Sequence, residues 1–175
     1  NVFPGILGRV CDRPCEDGCV RRGLDEPVAI NDLKRFVVDW AERERPDLLE
    51  TPREPAHGTA VAIIGAGVAG LSAAHELAVR GYSVTLFDAE ARPGGLLTHG
   101  IPEYRLPAAQ SARDIERVLR LGVRFEGGKR LGHEICLDDL SADFRAVFLA
   151  IGAHCSKTLA LPGSDRDAAP RSIDA

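Results

Sequence analysis

Five consecutive apolar residues, Ala60-Val61-Ala62-Ile63-Ile64, run without a break into Gly65-Ala66-Gly67-Val68-Ala69-Gly70. A short apolar run with no polar alternation reads as a strand buried on both faces, which requires a parallel sheet covered by helices. The hexapeptide after it is G-x-G-x-x-G, and its position after a strand and before a helix is what gives it meaning. Gly65 permits a tight turn, Gly67 lets the main chain approach a ligand, and Gly70 lets the helix pack close to the strand. Leu71, Ala74, Leu77 and Ala78 then recur at helical spacing over residues 68–80, and Gly81 closes that helix. A second strand over residues 83–87 ends at Asp88, 18 residues beyond Gly70. Strand, helix and strand in so short a span predict a βαβ unit and a Rossmann-like α/β fold with a parallel sheet.

The unit carries its own chemistry. Bare N–H groups at Ala66, Val68 and Ala69, with the positive end of the helix, suit a pyrophosphate. A carboxylate at Asp88 accepts hydrogen bonds from a ribose 2′-OH and repels a 2′-phosphate, which favours NAD or FAD over NADP at this site. The competing reading is that the glycines only tighten a turn and Asp88 is a solvated strand end. FAD is favoured over NAD by Gly94-Gly95-Leu96, whose main chain can reach the far end of a long dinucleotide, and by Gly152 at the end of the last strand.

Around this unit, residues 89–107 form a long, Gly- and Pro-rich loop, followed by a helix over 108–121 and strands over 123–126 and 146–151. The last strand should lie beside the first. Residues 1–22 read as irregular. A helix begins at Pro27, with Ala29/Ile30, Leu33, Phe36/Val37 and Trp40 at helical spacing, and ends at Pro46. Residues 51–58 read as a linker. The expected division is a helical, cysteine-rich domain over 1–55 and a dinucleotide-binding domain over 56–175. The net charge of −4 gives no electrostatic case for nucleic acid, and no apolar run approaches the roughly 20 residues that span a bilayer.

Five cysteines are an odd number, and three crowd into Cys11-x3-Cys15-x3-Cys19. That distribution fits a reducing, cytoplasmic compartment better than a disulfide framework. Three thiols fall short of the four ligands that zinc or an iron–sulfur cluster takes, so the spacing leaves cluster, zinc and free thiols open. Cys136 and Cys155 read as small buried hydrophobes, His75 as lying on an exposed helix side, and His99 as a polar loop residue.

Gly8-Arg9-Val10-Cys11, Pro14-Cys15-Glu16, Cys19, Pro27-Val28-Ala29-Ile30, Gly100-Ile101-Pro102-Glu103-Tyr104-Arg105-Leu106-Pro107 and Ala150-Ile151-Gly152-Ala153 together resemble the glutamate synthase small subunit family. The same module occurs in dihydropyrimidine dehydrogenase. The resemblance implies an NAD(P)H oxidoreductase in which electrons pass from the nicotinamide through FAD to [4Fe–4S] clusters and on to a partner oxidoreductase subunit or domain. It implies FAD contacts from Gly65, Gly67, Gly70, Asp88, Gly95, Leu96, Arg105 and the main chain at Leu131. It also implies that Cys11 and Cys15 serve one cluster and Cys19 another, each completed from upstream. Leu7 stands where many relatives carry a further cysteine. With no methionine in the chain and an irregular end after Pro162, the sequence is expected to be part of a longer protein whose nicotinamide domain lies beyond it. A flavin-binding adaptor without turnover of its own is the alternative reading.

Overall fold

In the computed structural model of the chain, which describes residues 1–153, the apolar run becomes the inner strand β1 (Ala60–Ile64). β2 (Ser83–Phe87) pairs parallel along its whole length, with Ala60 opposite Ser83 and Ile64 opposite Phe87. β3 (Arg124–Glu126) joins the far side of β2, and β4 (Ala146–Leu149) pairs with the free side of β1. The order β3-β2-β1-β4 is that of a doubly wound sheet, with the last strand beside the first as the sequence predicts. Such a reversal of strand order opens a crevice at the carboxyl ends of the central strands.

Successive β1 residues point to opposite faces, and each face has its own core. Ile63 joins Val84 and Leu86 under α4 (Val68–Val79) and α6 (Ala108–Arg120), where Leu71, Ala74, Ile115 and Val118 bury themselves. Ala62 and Ile64 meet Leu140 of α7 (Leu137–Asp143) on the other face. β4 is apolar yet largely exposed, because among the described residues it is an edge strand with β1 as its only neighbour. A short helix, α5 (Leu96–His99), interrupts the long loop. Among the described residues no helix is long and apolar enough to cross a membrane.

The amino-terminal segment departs from the expectation of irregular chain. It forms α1 (Pro4–Val10), α2 (Pro14–Asp17) and a 3-10 turn (Val20–Gly23) before α3 (Ile30–Glu44). The glycines and prolines that suggest a loop serve packing instead. Pro4 occupies the first turn, where a missing N–H costs nothing. A Cβ on Gly5 would collide with Gln110 of α6, and one on Gly8 would lie 3.1 Å from the Arg35 Cα of α3. α3 itself begins at Ile30 rather than Pro27, and the apolar residues that reveal it are not those it buries. Asn31, Val38 and Ala41 face inward, whereas Leu33, Phe36 and Val37 are exposed, Phe36 by 68%. Residues 51–58 are laid along the end of α4, where Glu54 donates to Val79 O at 2.8 Å and His57 packs edge-on against Tyr82.

Phe3 and Ile6 share the core cluster of the sheet, so α1 is part of that packing. A buried polar network fixes it there. Asp114, fully buried on α6, accepts the Ile6 N–H at 2.8 Å and pairs with Arg117. Arg117 and Arg113 each reach Glu42 of α3 at 3.1 Å, and Gln110 donates to the same carboxylate at 3.0 Å. Replacing Asp114 with Ala leaves the Ile6 N–H without its acceptor and Arg117 with Glu42 alone, and should cost about 3 kcal/mol. Denaturant unfolding measures this; an unchanged midpoint would show that α1 docks by apolar burial alone.

Candidate functional site

The first glycine turn sits at the crevice mouth and consists of main chain against main chain. Gly65 has φ +106°, and a Cβ there would strike the Ala150 carbonyl. A Cβ on Gly70 would strike the Gly65 carbonyl, so α4 lies as close to β1 as backbone allows. Gly67 differs: an added Cβ meets nothing within 4 Å. It caps α4 with no side-chain hydrogen bond, which leaves the first-turn amides around Val68 and Ala69 for an outside acceptor. Ala66 is fully buried beneath them.

The second glycine turn docks directly on the first. Gly94 donates its N–H to Ala66 O at 2.8 Å, and a Cβ on Gly95 would lie 3.0 Å from the Gly67 Cα. Both residues have positive φ, +133° and +52°, which non-glycine residues avoid. Leu96 opens α5 with its side chain exposed, while Leu97 anchors the turn in the core. Gly152, at φ +74°, follows β4, and Ala150 donates to Ile64 O at 2.7 Å, which holds that segment beside Gly65.

Asp88 is no solvated strand end. Its Oδ2 accepts the Ala66 N–H at 2.5 Å and its Oδ1 accepts the Glu90 N–H at 2.8 Å. The carboxylate therefore ties the end of β2 to the glycine turn, with lone pairs to spare for a further donor. The chain returning from β3 runs alongside, with Lys129 donating to Asp88 O at 2.7 Å and Gly128 to Glu90 O at 3.1 Å. Leu131, next on this segment, is half-buried and bridges to Ile135. Arg105 is exposed, and among the described residues its guanidinium makes no hydrogen bond or ion pair; only its N–H is held, by Pro102 O at 2.9 Å.

The three clustered cysteines are free thiols at the surface: Cys11 ends α1, Cys15 lies in α2, and Cys19 precedes the 3-10 turn. Among the described residues no three metal-binding groups converge. The Val28 N–H directed at the Cys19 sulfur, followed by the Arg21 N–H, holds that thiol below the ordinary cysteine range. The donors suit an iron–sulfur cluster in kind, as thiolates supported by N–H groups, but fall short of four for any one centre. Cys136 is exposed rather than buried, because its sulfur caps α7 by accepting the Asp139 N–H at 3.4 Å. Cys155 lies outside the described residues. His75 is partly buried, its ring 3.3 Å from Glu76, and His99 is an exposed residue of α5.

The main-chain acceptor and donor that join the two glycine turns, and the grip of Asp88 on Ala66, were not visible in the sequence. Both depend on atoms that every residue carries. A Cβ on Gly67 would meet only open space, and the helix end beside it, without a side-chain cap, leaves N–H donors there.

Residues 63–113 match the family described as an NAD(P)-binding Rossmann-like domain, and residues 1–46 match dihydropyrimidine dehydrogenase domain II, 4Fe-4S cluster. The chain is 45% identical over 185 residues to the NADP(+)-dependent formate dehydrogenase subunit beta of Moorella thermoacetica, covering 94% of this chain and 26% of that protein. It is 36% identical over 174 residues to the glutamate synthase [NADPH] small chain of Mycobacterium tuberculosis, covering 99% of this chain and 36% of the relative. The chain thus spans between about a quarter and just over a third of these relatives' length. The solved structure of Mycobacterium tuberculosis FprA in complex with NADPH matches with a TM-score of 0.54 and 26% identity, over 64% of this chain and 26% of that one.

The glycines should separate fold from binding. Gly67→Ala should unfold within about 0.5 kcal/mol of the parent, yet lose dinucleotide affinity at least tenfold as the methyl enters the cradle. Gly70→Ala should lose stability first. Calorimetric unfolding together with cofactor titration checks both; equal behaviour of the two variants would contradict the cradle.

Proposed function

We propose, for a chain homologous over nearly its whole length to part of the NAD(P)H oxidoreductase subunits that include glutamate synthase small chain, that it is an FAD-binding electron-transfer module. The observation that carries this reading is the pair of stacked glycine turns, Gly65–Gly70 and Gly94-Gly95, at the carboxyl end of β1 with Asp88 closing one side. One such turn suits any dinucleotide; a second turn laid on it continues the main-chain surface along a longer ligand.

In this reading the amides at Val68, Ala69 and Gly70 face the pyrophosphate, Asp88 takes the ribose hydroxyls, and Ala66, whose N–H is not bare but spent on Asp88, supports the turn from beneath. The main chain at Leu131 borders the adenine half. Gly94, Gly95 and Leu96 border the opposite half, with Gly152 flanking them from β4. Arg105, whose guanidinium has no partner among the described residues, stands on a loop anchored by buried Leu106 and supplies a planar cation for phosphate or ring edge. What a flavin supplies in such a site is the conversion of a two-electron hydride into single electrons. Cys11, Cys15 and Cys19 are ligands to [4Fe–4S] clusters, with the missing ligands coming from outside the described chain. Residues 1–55 thus form the cluster-bearing part and residues 56–175 the flavin part. NAD(P)H is the electron source in the whole protein, and a partner oxidoreductase subunit or domain receives the electrons. Free thiols at the surface suit a reducing compartment such as the cytoplasm.

The intact protein should carry flavin absorbance that bleaches when NADPH or NADH is added anaerobically. Asp88→Ala should weaken FAD retention by about 1.5–3 kcal/mol, the range for hydrogen bonds to a charged acceptor, and should also loosen the glycine turn. Arg105→Lys keeps the charge, loses the planar fork, and should release FAD more readily. A protein purified with bound NAD and no flavin would overturn the FAD reading, and a flavin that neither nucleotide reduces would favour the adaptor.

A further inference from the structure

Asn31, in the first turn of α3, is 2% exposed, an uncommon place for an amide. It grips two different cysteine-bearing turns. Its Nδ2 donates to the Gly8 carbonyl at 3.1 Å, one turn before α1 ends at Cys11. Its backbone N–H donates to Glu16 Oε1 at 2.9 Å, and Glu16 directly follows Cys15 in α2. The next residue, Asp32, accepts from Arg13 at 3.1 Å; Arg13 lies midway between the two cysteines with a left-handed φ of +64°. Asn31 Oδ1 is buried and, among the described residues, without a hydrogen-bond partner.

That unpartnered oxygen is informative. A buried, unsatisfied carbonyl is costly, so an amide here is unfavourable unless its other end does something an apolar side chain cannot do. What Nδ2 does is hold α1 in register with the first turn of α3, while the same residue's N–H holds α2.

We propose that Asn31 is the positioning residue for the Cys11–Cys15 pair. By clamping Gly8 and Glu16 against one rigid helical turn, it sets the separation and aim of the two thiols. The proposal rests on the cluster reading above and deepens it by assigning a residue that is not itself a ligand. Its effect is selective, because Cys19 takes its support from Val28 and Arg21 instead.

The test uses the full-length protein, reconstituted anaerobically with ferrous iron and sulfide. Iron per flavin is measured, together with electron paramagnetic resonance of the reduced protein. Asn31→Ala should keep its flavin, lose about half its iron and lose one resonance signal of two, since one centre's thiols are misplaced. Glu16→Ala should do the same, and Glu16→Gln, which keeps an acceptor oxygen, should restore the wild-type pattern. That rescue keeps the proposal testable if Asn31→Ala fails to fold. Wild-type iron content and signals in both alanine variants, or Glu16→Gln behaving like Glu16→Ala, would overturn the positioning role alone. A wild-type protein that takes up no iron would overturn the cluster reading and the proposal with it.

Discussion

The close approach of main chain to main chain at the end of β1 governs everything built around it. Gly70 rests on the Gly65 carbonyl, Gly65 rests on Ala150, and Gly94 hydrogen-bonds to Ala66. No side chain fits between these segments, so the helix, the edge strand and the second turn are placed by backbone geometry. The result is a surface of N–H groups at the positive end of α4, a surface of the kind that suits a phosphate. Asp88, at the end of β2, fixes the turn, so the residue proposed to take the ribose also maintains the backbone it would work beside.

α6 is the element that joins the two halves. On one side it packs Ile115 and Val118 into the sheet's core; on the other it offers Asp114, Gln110, Arg113 and Arg117 to α1 and α3. A buried ion pair is a poor source of stability against an apolar alternative, because both charges leave water. It does impose one geometry. The Ile6 N–H must meet Asp114, and Gly5 must lie against Gln110, so the helix leading to Cys11 is held in a defined place relative to the glycine turns.

Elsewhere the cysteine loop is laced by exposed arginine–aspartate pairs, Arg21 with Asp25, Arg22 with Asp17 and Arg13 with Asp32. Pairs in solvent contribute about 0–1 kcal/mol each and yield to salt. The less exposed contacts of Asn31 and Glu16 with the chain around them are firmer constraints on that loop.

The sequence by itself determined the sheet and its dinucleotide turn. A continuous apolar strand, glycines at fixed offsets and an acid at the end of the next strand are local patterns, each dictated by the geometry of one βαβ unit. It also marked the helical period of α3 and the crowding of Cys11, Cys15 and Cys19. Tertiary structure alone decided which side of α3 is buried, since a helical period has no direction until a neighbour is present. It turned Gly5 and Gly8 from apparent loop residues into contact points of a helix, placed Cys136 on a helix end, and brought Asn31 to both cysteine turns. These outcomes depend on residues far apart in the chain meeting through hydrogen bonds and close packing, and no local pattern encodes the distance between them.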